Sequence, residues 1–586
     1  FFVFALLLYV FNHFVITPKW VVPFQETALP AFKNNYRRLI SWVLTGKRSI
    51  YVTLAAFLLL VFTFVLMGIV KPKVVFFPSG DPDYIYIYSK NPIGTDAVVT
   101  DSITKVIENR VFAFIKKEGY AKIVNSVISN VGKNAGDPMN PDRGATPHKS
   151  KVTIAFEKLQ LRDGIKTGEV LNKIQKEFFS NPIPGVEMAI ERESNGPPTG
   201  KPISIEIAGD DFTILQDLEK KVRQSIIKAG VQGIQELKSD LVTNKPEIII
   251  DVNREKASRE GISSAQVAMA IRTGLFGSEI SKFRDLKDEY PIQLRLKGDS
   301  RNQIEKLLSM NITYRDMNMG GSLRQVPLNS IADIHYATSF SQINRKNQER
   351  VITLGSDVVQ GYNANEIVGE LTTLFETLDV PQGYKIRMGG EQEDQKEAGS
   401  FLGMAFLAAL ILIYLILATQ FNSAVKPLII FATILLSLIG VLLGFMAFGM
   451  TFSIIMSGVG VIALAGIVVK NGILLIEFIE ELRLKRGYDL KEAIIEGGGI
   501  RLTPVLLTAS AAVLGLIPLA LGLSIDFTTL FTELDPHLFI GSDSAVFWGV
   551  LAWTIIFGLT FSTILTLIIV PCMYYISERI KQKWTN

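Results

Sequence analysis

Lys470 and Asn471 sit inside the apolar stretch LAGIVVKNGILLIEF (464–478). An ammonium group at a bilayer centre costs about 2.5–3.5 kcal/mol even on lenient insertion scales, so such a residue usually faces a bundle interior and meets an opposite charge. The chemistry open to it is charge compensation coupled to proton movement. A carboxylate held against a lysine stays ionised until a proton arrives, because each charge favours the other. Thr508, in RLTPVLLTAS (501–510), is the second group. Lys470 lies eight residues before Phe478, and Thr508 lies six residues after Leu502 on an oppositely running helix. At about 1.5 Å per residue these are roughly 12 Å and 9 Å of depth, so the two share a level. Small residues around them (Gly458, Gly460, Ala463 and Gly466; Ala509, Ser510, Ala511 and Ala512) allow close helix packing. Plainer readings stand beside these. A lysine stem can reach a nearby membrane face, and a threonine can bond its own helix backbone. Arg501, at the mouth of its span, is either a headgroup anchor or a stabiliser of the same pathway. Spacing alone does not choose between these readings.

Other chemistries find little footing. No GxxxxGK[ST], HExxH or CxxC pattern occurs, the single cysteine is Cys572, and the four histidines are scattered. No nucleophile–base set can be assembled, so no enzyme, no resident metal and no cofactor are expected. A net charge of +4 offers no footprint for nucleic acid.

The elements that position these residues follow from segregation of charge. Hydrophobic residues make up 48% and mean hydropathy is +0.29, yet 20% of residues are charged. No charge occurs in 49–70, 398–425, 427–469, 502–525 or 544–577. A span needs about 20 apolar residues. Membrane helices are therefore expected at 49–70, 401–420, 427–448, 453–478, 502–523 and 546–571, with residues 1–16 as the tail of a further span in a longer protein. Lys and Arg concentrate in 17–48, in 480–501 and in the tail 578–586, while 449–452 and 526–543 hold none. The basic segments are thus expected on the cytoplasmic side and 71–397 on the other. Within the 17–48 linker, 26–46 reads as an amphipathic helix on the membrane surface, or more plainly as a connecting segment. The acidic turn 526–543 is longer than a hairpin needs.

The outer region repeats a pattern. Strand 83–90, helix 96–118, strands 121–129 and 151–158, helix 167–179 and strand 186–193 give βαββαβ, a ferredoxin-like unit over 74–200. Strand 203–209, helix 211–228 and strand 233–239 begin a second, which strand 350–358, helix 364–378 and strand 384–390 complete. The second unit thus covers 201–244 and 341–395. Between its halves sits 245–340, with its own strands and with helices at ISSAQVAMAIRTG and NQIEKLL, as an inserted subdomain. The fold class is an α-helical membrane bundle (398–577 holding five spans) plus an α+β outer region.

Specific stretches carry a resemblance. KNGILLIEF is similar to the Lys-Asn-Ala-Ile-Leu-Ile-Val-Glu-Phe helix of the resistance–nodulation–division (RND) efflux permeases, and RLTPVLLTAS resembles their Arg-x-x-Pro-x-x-x-Thr-Ser helix. IDVNREKASREGISSAQVAMAIRTGLFG (250–277) resembles their docking segment. The chain resembles the C-terminal half of an AcrB-like hydrophobe and amphiphile exporter, covering essentially its whole length. The resemblance implies a homotrimer in the bacterial inner membrane with a large periplasmic region, working with a periplasmic adaptor protein and an outer-membrane channel docked on 245–340. It implies a substrate/proton antiporter exporting amphiphilic small molecules or drugs, with the proton as coupling ion. Lys470, Asn471, Thr508 and Arg501 become the proton relay, facing aspartates that another half of such a permease would supply. The ferredoxin-like units become porter subdomains. Ile128, Phe156, Met188 and Ile190 fall at the substrate cleft, where drug-type members carry several phenylalanines; here only Phe156 is aromatic. Ile128 and Ile190 also read as ordinary strand core. The loop 130–150, with Lys133, Asn134 and Met139, takes the switch-loop position. Heavy-metal export, which wants converging methionines, finds only Met139 and Met188. The same fold would also serve lipid export, or a receptor or scaffold that transports nothing.

Overall fold

The computed structural model describes residues 17, 19 and 21–585, except 79, 137, 139–143, 194–199, 242–244, 299–302, 304, 307–308, 317–319, 340–342, 360–361, 526, 536–537 and 542. The expected span tail 1–16, Met139 and most of the NQIEKLL helix lie outside the described residues.

Helix α1 (Leu29–Val43) precedes α2 (Arg48–Val70), the first of six described helices long and apolar enough to cross a membrane. Amphipathicity alone places α1 on a membrane surface, but one of its faces docks on protein. Tyr36, Ile40 and Val43 are buried, the Tyr36 hydroxyl donates to the Leu567 carbonyl at 2.8 Å, and Arg37 pairs with Glu496 at 2.7 Å. Phe32, Leu39 and Trp42 remain exposed on the other face.

The first outer module comprises β1 (Tyr84–Lys90), α3 (Ala97–Glu118), β2 (Val124–Val131), β3 (Lys149–Phe156), α4 (Thr167–Ser180) and β4 (Glu187–Arg192). Its sheet runs β2-β3-β1-β4, every neighbour antiparallel. Strand alternation does the sorting. Ile85 and Ile87 turn to the helices and are fully buried with Ile107, Val111, Val170 and Ile174. Strand β2 starts three residues later than the expected 121, because Gly119 turns left-handed (φ 76°) and Tyr120–Lys122 form one tight helical turn.

The second module comprises β5 (Ile203–Gly209), α5 (Phe212–Ala229), β6 (Lys238–Ser239), β7 (Glu349–Ser356), α6 (Ala364–Glu376) and β8 (Lys385–Met388). Here β6 pairs with β7, β7 with β5 and β5 with β8, the same order as in the first module. The expected strand 233–239 contracts to two residues plus a single bridge, Ile234 to Val358. Gly233 (φ +89°), pressed against Tyr362 and Ile367, accounts for the break.

Residues 241–344, with 92–96, form a separate compact unit. Strand Lys245–Val252 pairs with Ala332–Ser339, and helix Ser264–Phe276 opens with a capping box from Ser263 and Gln266. Ile262, Val267, Ile312, Tyr314 and Leu328 make its own small core.

The remaining helices are α7 (Glu391–Phe421), α8 (Val425–Ala447), α9 (Ile454–Glu480), α10 (Leu490–Leu521) and α11 (Asp543–Thr585). Three outrun their apolar runs, and one of them, α11, continues to Thr585, past the expected end at 571 and through most of the basic tail 578–586. Helix α7 begins ten residues before the expected 401, with Glu391, Glu393 and Asp394 in its first turn, favourable at a helix N-terminus. Helix α10 begins at 490 rather than 502, capped by the Asp489 side chain, so most of the expected cytoplasmic connection is helical. The turn 526–543 carries a short helix, Phe527–Thr532.

Candidate functional site

Lys470 lies on α9, roughly 15 Å from its C-terminal end at about 1.5 Å per residue. Its side chain is on the exposed face of the bundle, whereas Asn471 turns inward and is buried. Helices α9 and α10 share buried packing near Lys470 and Thr508. Val468 and Ala509 belong to one buried cluster, and Val469 and Val505 to another. Thr508 is also on the exposed face, and its hydroxyl donates to the Val505 carbonyl at 3.1 Å. Among the described residues Lys470 has no ion-pair partner. One turn away, a side chain on Gly466 would meet nothing within 4 Å, while Gly458 packs on Leu402 and Gly460 on Thr554. The face bearing Lys470 is thus open, and the small residues on the other faces are used for packing.

Arg501 is neither free nor fully satisfied. Its guanidinium lies 4.6 Å over the Phe478 ring, tying α10 to α9, and its buried Nε has no hydrogen-bond partner. Stacking of this kind is worth about 0.5–2 kcal/mol, depending on desolvation.

Charged groups that no sequence pattern singles out gather at the same end of the bundle. Lys426 pairs with Glu480 at 2.5 Å, Tyr574 reaches Glu480 at 3.4 Å, and Arg483 pairs with Glu578 at 2.5 Å. Their only sequence signal is a position at the ends of apolar runs, which span assignment treats as boundaries.

A cleft of about 1770 Å³ lies between the two sheet modules and the top of the bundle, with Tyr86, Tyr88, Met188, Glu191, Lys201 and Asp357 on its walls. Period-2 alternation in β1 puts Tyr86 and Tyr88 on the side opposite Ile85 and Ile87. Lys201 connects the modules, 2.9 Å from Glu191 of β4 and 2.7 Å from Asp357 just after β7. Burial works against the Lys201 charge, but Asp357 and Glu191 outweigh it and hold the ammonium above the usual lysine range. Burial, with Asp83 beside it, pushes the Glu193 carboxyl up.

The four expected cleft residues separate. Met188 lines the cleft, and Ile190 backs its wall while remaining 2% exposed. Phe156 is instead packed in the first module's core beneath Arg162 (5.9 Å to the ring) and is not among the lining residues. Ile128, also expected as core, is 51% exposed on edge strand β2, at the opposite end of the sheet from β4. Tyr86 and Tyr88 of β1, whose DYIYIYSK pattern reads equally as core, share the cleft lining with Phe76, Phe77, Phe178, Phe179 and Tyr362. Lys133 and Asn134 are exposed, Asn134 in a left-handed turn (φ 54°), and Pro138 of the same loop reaches the cleft wall.

Six long apolar helices with two sheet modules ahead of the second match one family description over nearly the whole chain: the AcrB/AcrD/AcrF model spans residues 17–578. The chain belongs to the AcrB/AcrD/AcrF family. Members of this RND family are transporters rather than enzymes. It is 30% identical over 378 residues to the cobalt-zinc-cadmium resistance protein CzcA of Cupriavidus metallidurans, covering 64% of this chain and 33% of that protein. It is 24% identical to the multidrug resistance protein MdtC of Cronobacter sakazakii, covering 95% and 50%. With the swarming motility protein SwrC of Bacillus subtilis it shares 24% identity, covering 94% and 48%. The chain thus spans a third to a half of the length of these relatives. The crystal structure of a heavy metal efflux pump superposes with a TM-score of 0.68 at 24% identity, covering 94% of this chain and 53% of that one, which establishes a common fold.

Proposed function

We propose that this chain forms half of a proton-driven efflux permease that exports amphiphilic small molecules. The observation that carries the reading is Lys470, set within an apolar helix on an open face and without a partner among the described residues. A carboxylate from a helix outside this chain would meet Lys470 on that face, and its protonation would release the lysine toward Thr508. The strand order of the two modules supports ferredoxin-like porter subdomains that open and close the cleft between them. Tyr86, Tyr88 and Met188 give that cleft flat and adaptable apolar contacts suited to amphiphiles. The reading includes a homotrimer in the inner membrane, the outer region in the periplasm, and docking of an outer-membrane channel on 245–340 with an adaptor. Orientation rests on the basic segments 17–48 and 480–501. A divalent metal cation as cargo is the second reading. It is favoured by similarity to CzcA and by the carboxylates of Asp81, Glu191, Glu193, Asp357 and Glu391 around the cleft.

The test uses the full-length protein in vesicles with an imposed pH gradient. Proton movement is followed while a fluorescent amphiphile or Zn²⁺ is offered, for wild type and Lys470→Ala. Wild type is expected to couple amphiphile movement to protons and the variant, equally assembled, to lose both signals. Unchanged coupling in Lys470→Ala would reduce the lysine to a residue reaching for the membrane face. Coupling to Zn²⁺ alone would transfer the assignment to metal export.

A further inference from the structure

Glu191 is a point at which the first outer module holds the second. Its carboxylate takes the Lys201 ammonium at 2.9 Å and the Lys238 ammonium at 3.8 Å. Both lysines belong to the second module. Lys201 leads into β5 with its stem against Gly355 of β7, and Lys238 is in β6. The arrangement is lopsided. Each lysine has another carboxylate on its own side of the cleft, Asp357 for Lys201 at 2.7 Å and Glu236 for Lys238 at 3.8 Å. Among the described residues Glu191 pairs with no cation of its own module. When the modules part, both lysines therefore keep a counter-charge and Glu191 keeps none.

Strand register places an aromatic surface beside this carboxylate. Tyr86 of β1 is the cross-strand partner of Glu191 of β4, so the ring and the carboxylate stand on one face of the sheet, with Cβ atoms about 4.5–5.5 Å apart. Tyr88 follows two residues along the same face. Ring faces attract cations, and the Tyr86 ring already receives the Lys151 ammonium at 5.5 Å from its centre. The cleft holds about 1770 Å³, room for a drug-sized body next to these groups.

Charge decides what such a body carries. Among the described residues seven carboxylates and four basic side chains line the cleft, in a chain whose net charge is +4. The carboxylates are dispersed, and no three acidic, histidine or cysteine side chains among the described residues gather where one metal ion could bind them. One carboxylate beside flat rings suits a single positive charge on an apolar body. The bridge is also open to exchange. Lys201, Glu191 and Asp357 are each a quarter to two-fifths exposed, so water screens their attraction.

We propose that an organic cation with an apolar body replaces Lys201 and Lys238 at Glu191, its charge against that carboxylate and its body along Tyr86 and Tyr88. Lys201 then falls back on Asp357 and Lys238 on Glu236, so every charge stays paired while the first module is freed from the second. Glu191 thus selects cationic over anionic amphiphiles, and the two lysines are competitors that hold its place in the closed cleft. The assignment rests on the cleft being the substrate site.

The test uses the full-length protein in phosphatidylcholine nanodiscs, with no pH gradient. Two xanthene dyes of opposite charge, the cation rhodamine 6G and the anion fluorescein, are titrated by fluorescence polarisation against empty discs. Wild type is expected to bind rhodamine 6G the more tightly. Glu191→Gln keeps the shape and removes the charge, and is expected to weaken rhodamine 6G at least about tenfold. Joint Lys201→Met and Lys238→Met removes the competitors, so the cation is expected to bind about twofold to fivefold tighter, the reach of solvent-screened pairs. Lys201→Arg keeps a competitor and is expected to match wild type. A purely structural bridge gives the opposite sign, because its loss would loosen the cleft and weaken the dye. Weaker rhodamine 6G binding in the double methionine variant, undiminished binding in Glu191→Gln, or tighter binding of fluorescein in wild type would each overturn the exchange. Zn²⁺ binding that Glu191→Gln abolishes, with rhodamine 6G unbound, would overturn the organic class in favour of a metal. If Glu191→Gln melts early, the double methionine variant still decides by its sign. Binding is read at equilibrium, so failure here leaves the coupling role of Lys470 standing, and unchanged coupling in Lys470→Ala leaves the dye result untouched.

Discussion

At the residue scale, position relative to a partner decides what each charge does. Lys470 stands on an open face with no ion-pair partner among the described residues, whereas Lys201 already holds two carboxylates, one from each outer module. All three groups of that cluster are a quarter to two-fifths exposed, so solvent screening keeps the gain to about 1 kcal/mol or less. Its pH dependence has a definite sign. A lysine raised above its unfolded value contributes stability that is fully present below that value, about 10.4, and is lost as pH rises through the folded value. The melting difference between wild type and Lys201→Met is therefore expected to be flat from neutral pH to about 9 and to shrink only above about 10.4, as read by thermal unfolding across that range. A difference that vanished between pH 5 and 8 would implicate another group.

At the scale of helices, the same residue type serves opposite purposes. Gly558 is wedged between Val441 and Leu464, while Gly466 faces open space one turn from Lys470. Overpacking a tight interface costs about 1–3 kcal/mol, and a wedge among three helices belongs at the upper end. Gly558→Val is expected to lower the melting temperature and the yield of folded protein. Gly466→Val is expected to melt as wild type, yet to impair coupled transport if a partner helix approaches the Lys470 face. Equal melting losses for both would show that the face is already packed. Helix α1 illustrates the same dependence on neighbours. Its polar and apolar faces were legible, but docking through Tyr36 requires the glycine at 498, where any side chain would displace the phenol ring.

At the scale of the whole molecule, the second module carries an excisable insertion. The Asp240 amide donates to the Thr353 carbonyl, and Asn344–Lys346 pairs along the same strand, so the chain leaves and re-enters at neighbouring points of β7. Residues 241–344 also keep a core of their own. Replacing 241–344 with a short Gly/Ser linker in the full-length protein is expected to leave the melting of the rest and pH-gradient transport in vesicles close to wild type. Export across a two-membrane envelope is expected to be lost, as read by accumulation of substrate in cells. Loss of transport in vesicles as well would place the insertion in the coupling machinery instead of the docking step.

Runs without charge located all six described membrane-length helices to within a few residues at their apolar ends, because water and lipid sort side chains locally along the chain. Strand alternation in β1 and β5 and the lysine at 470 were equally plain, since each needs only its own neighbours to stand out. What the chain order could not express was pairing between distant residues. The retreat of Phe156 into the core, the tyrosines on the cleft wall and the Lys426–Glu480–Tyr574 cluster all depend on register between helices or strands far apart in sequence. Packing sets that register through single contacts, such as a glycine under a leucine, that no local pattern of hydrophobicity encodes.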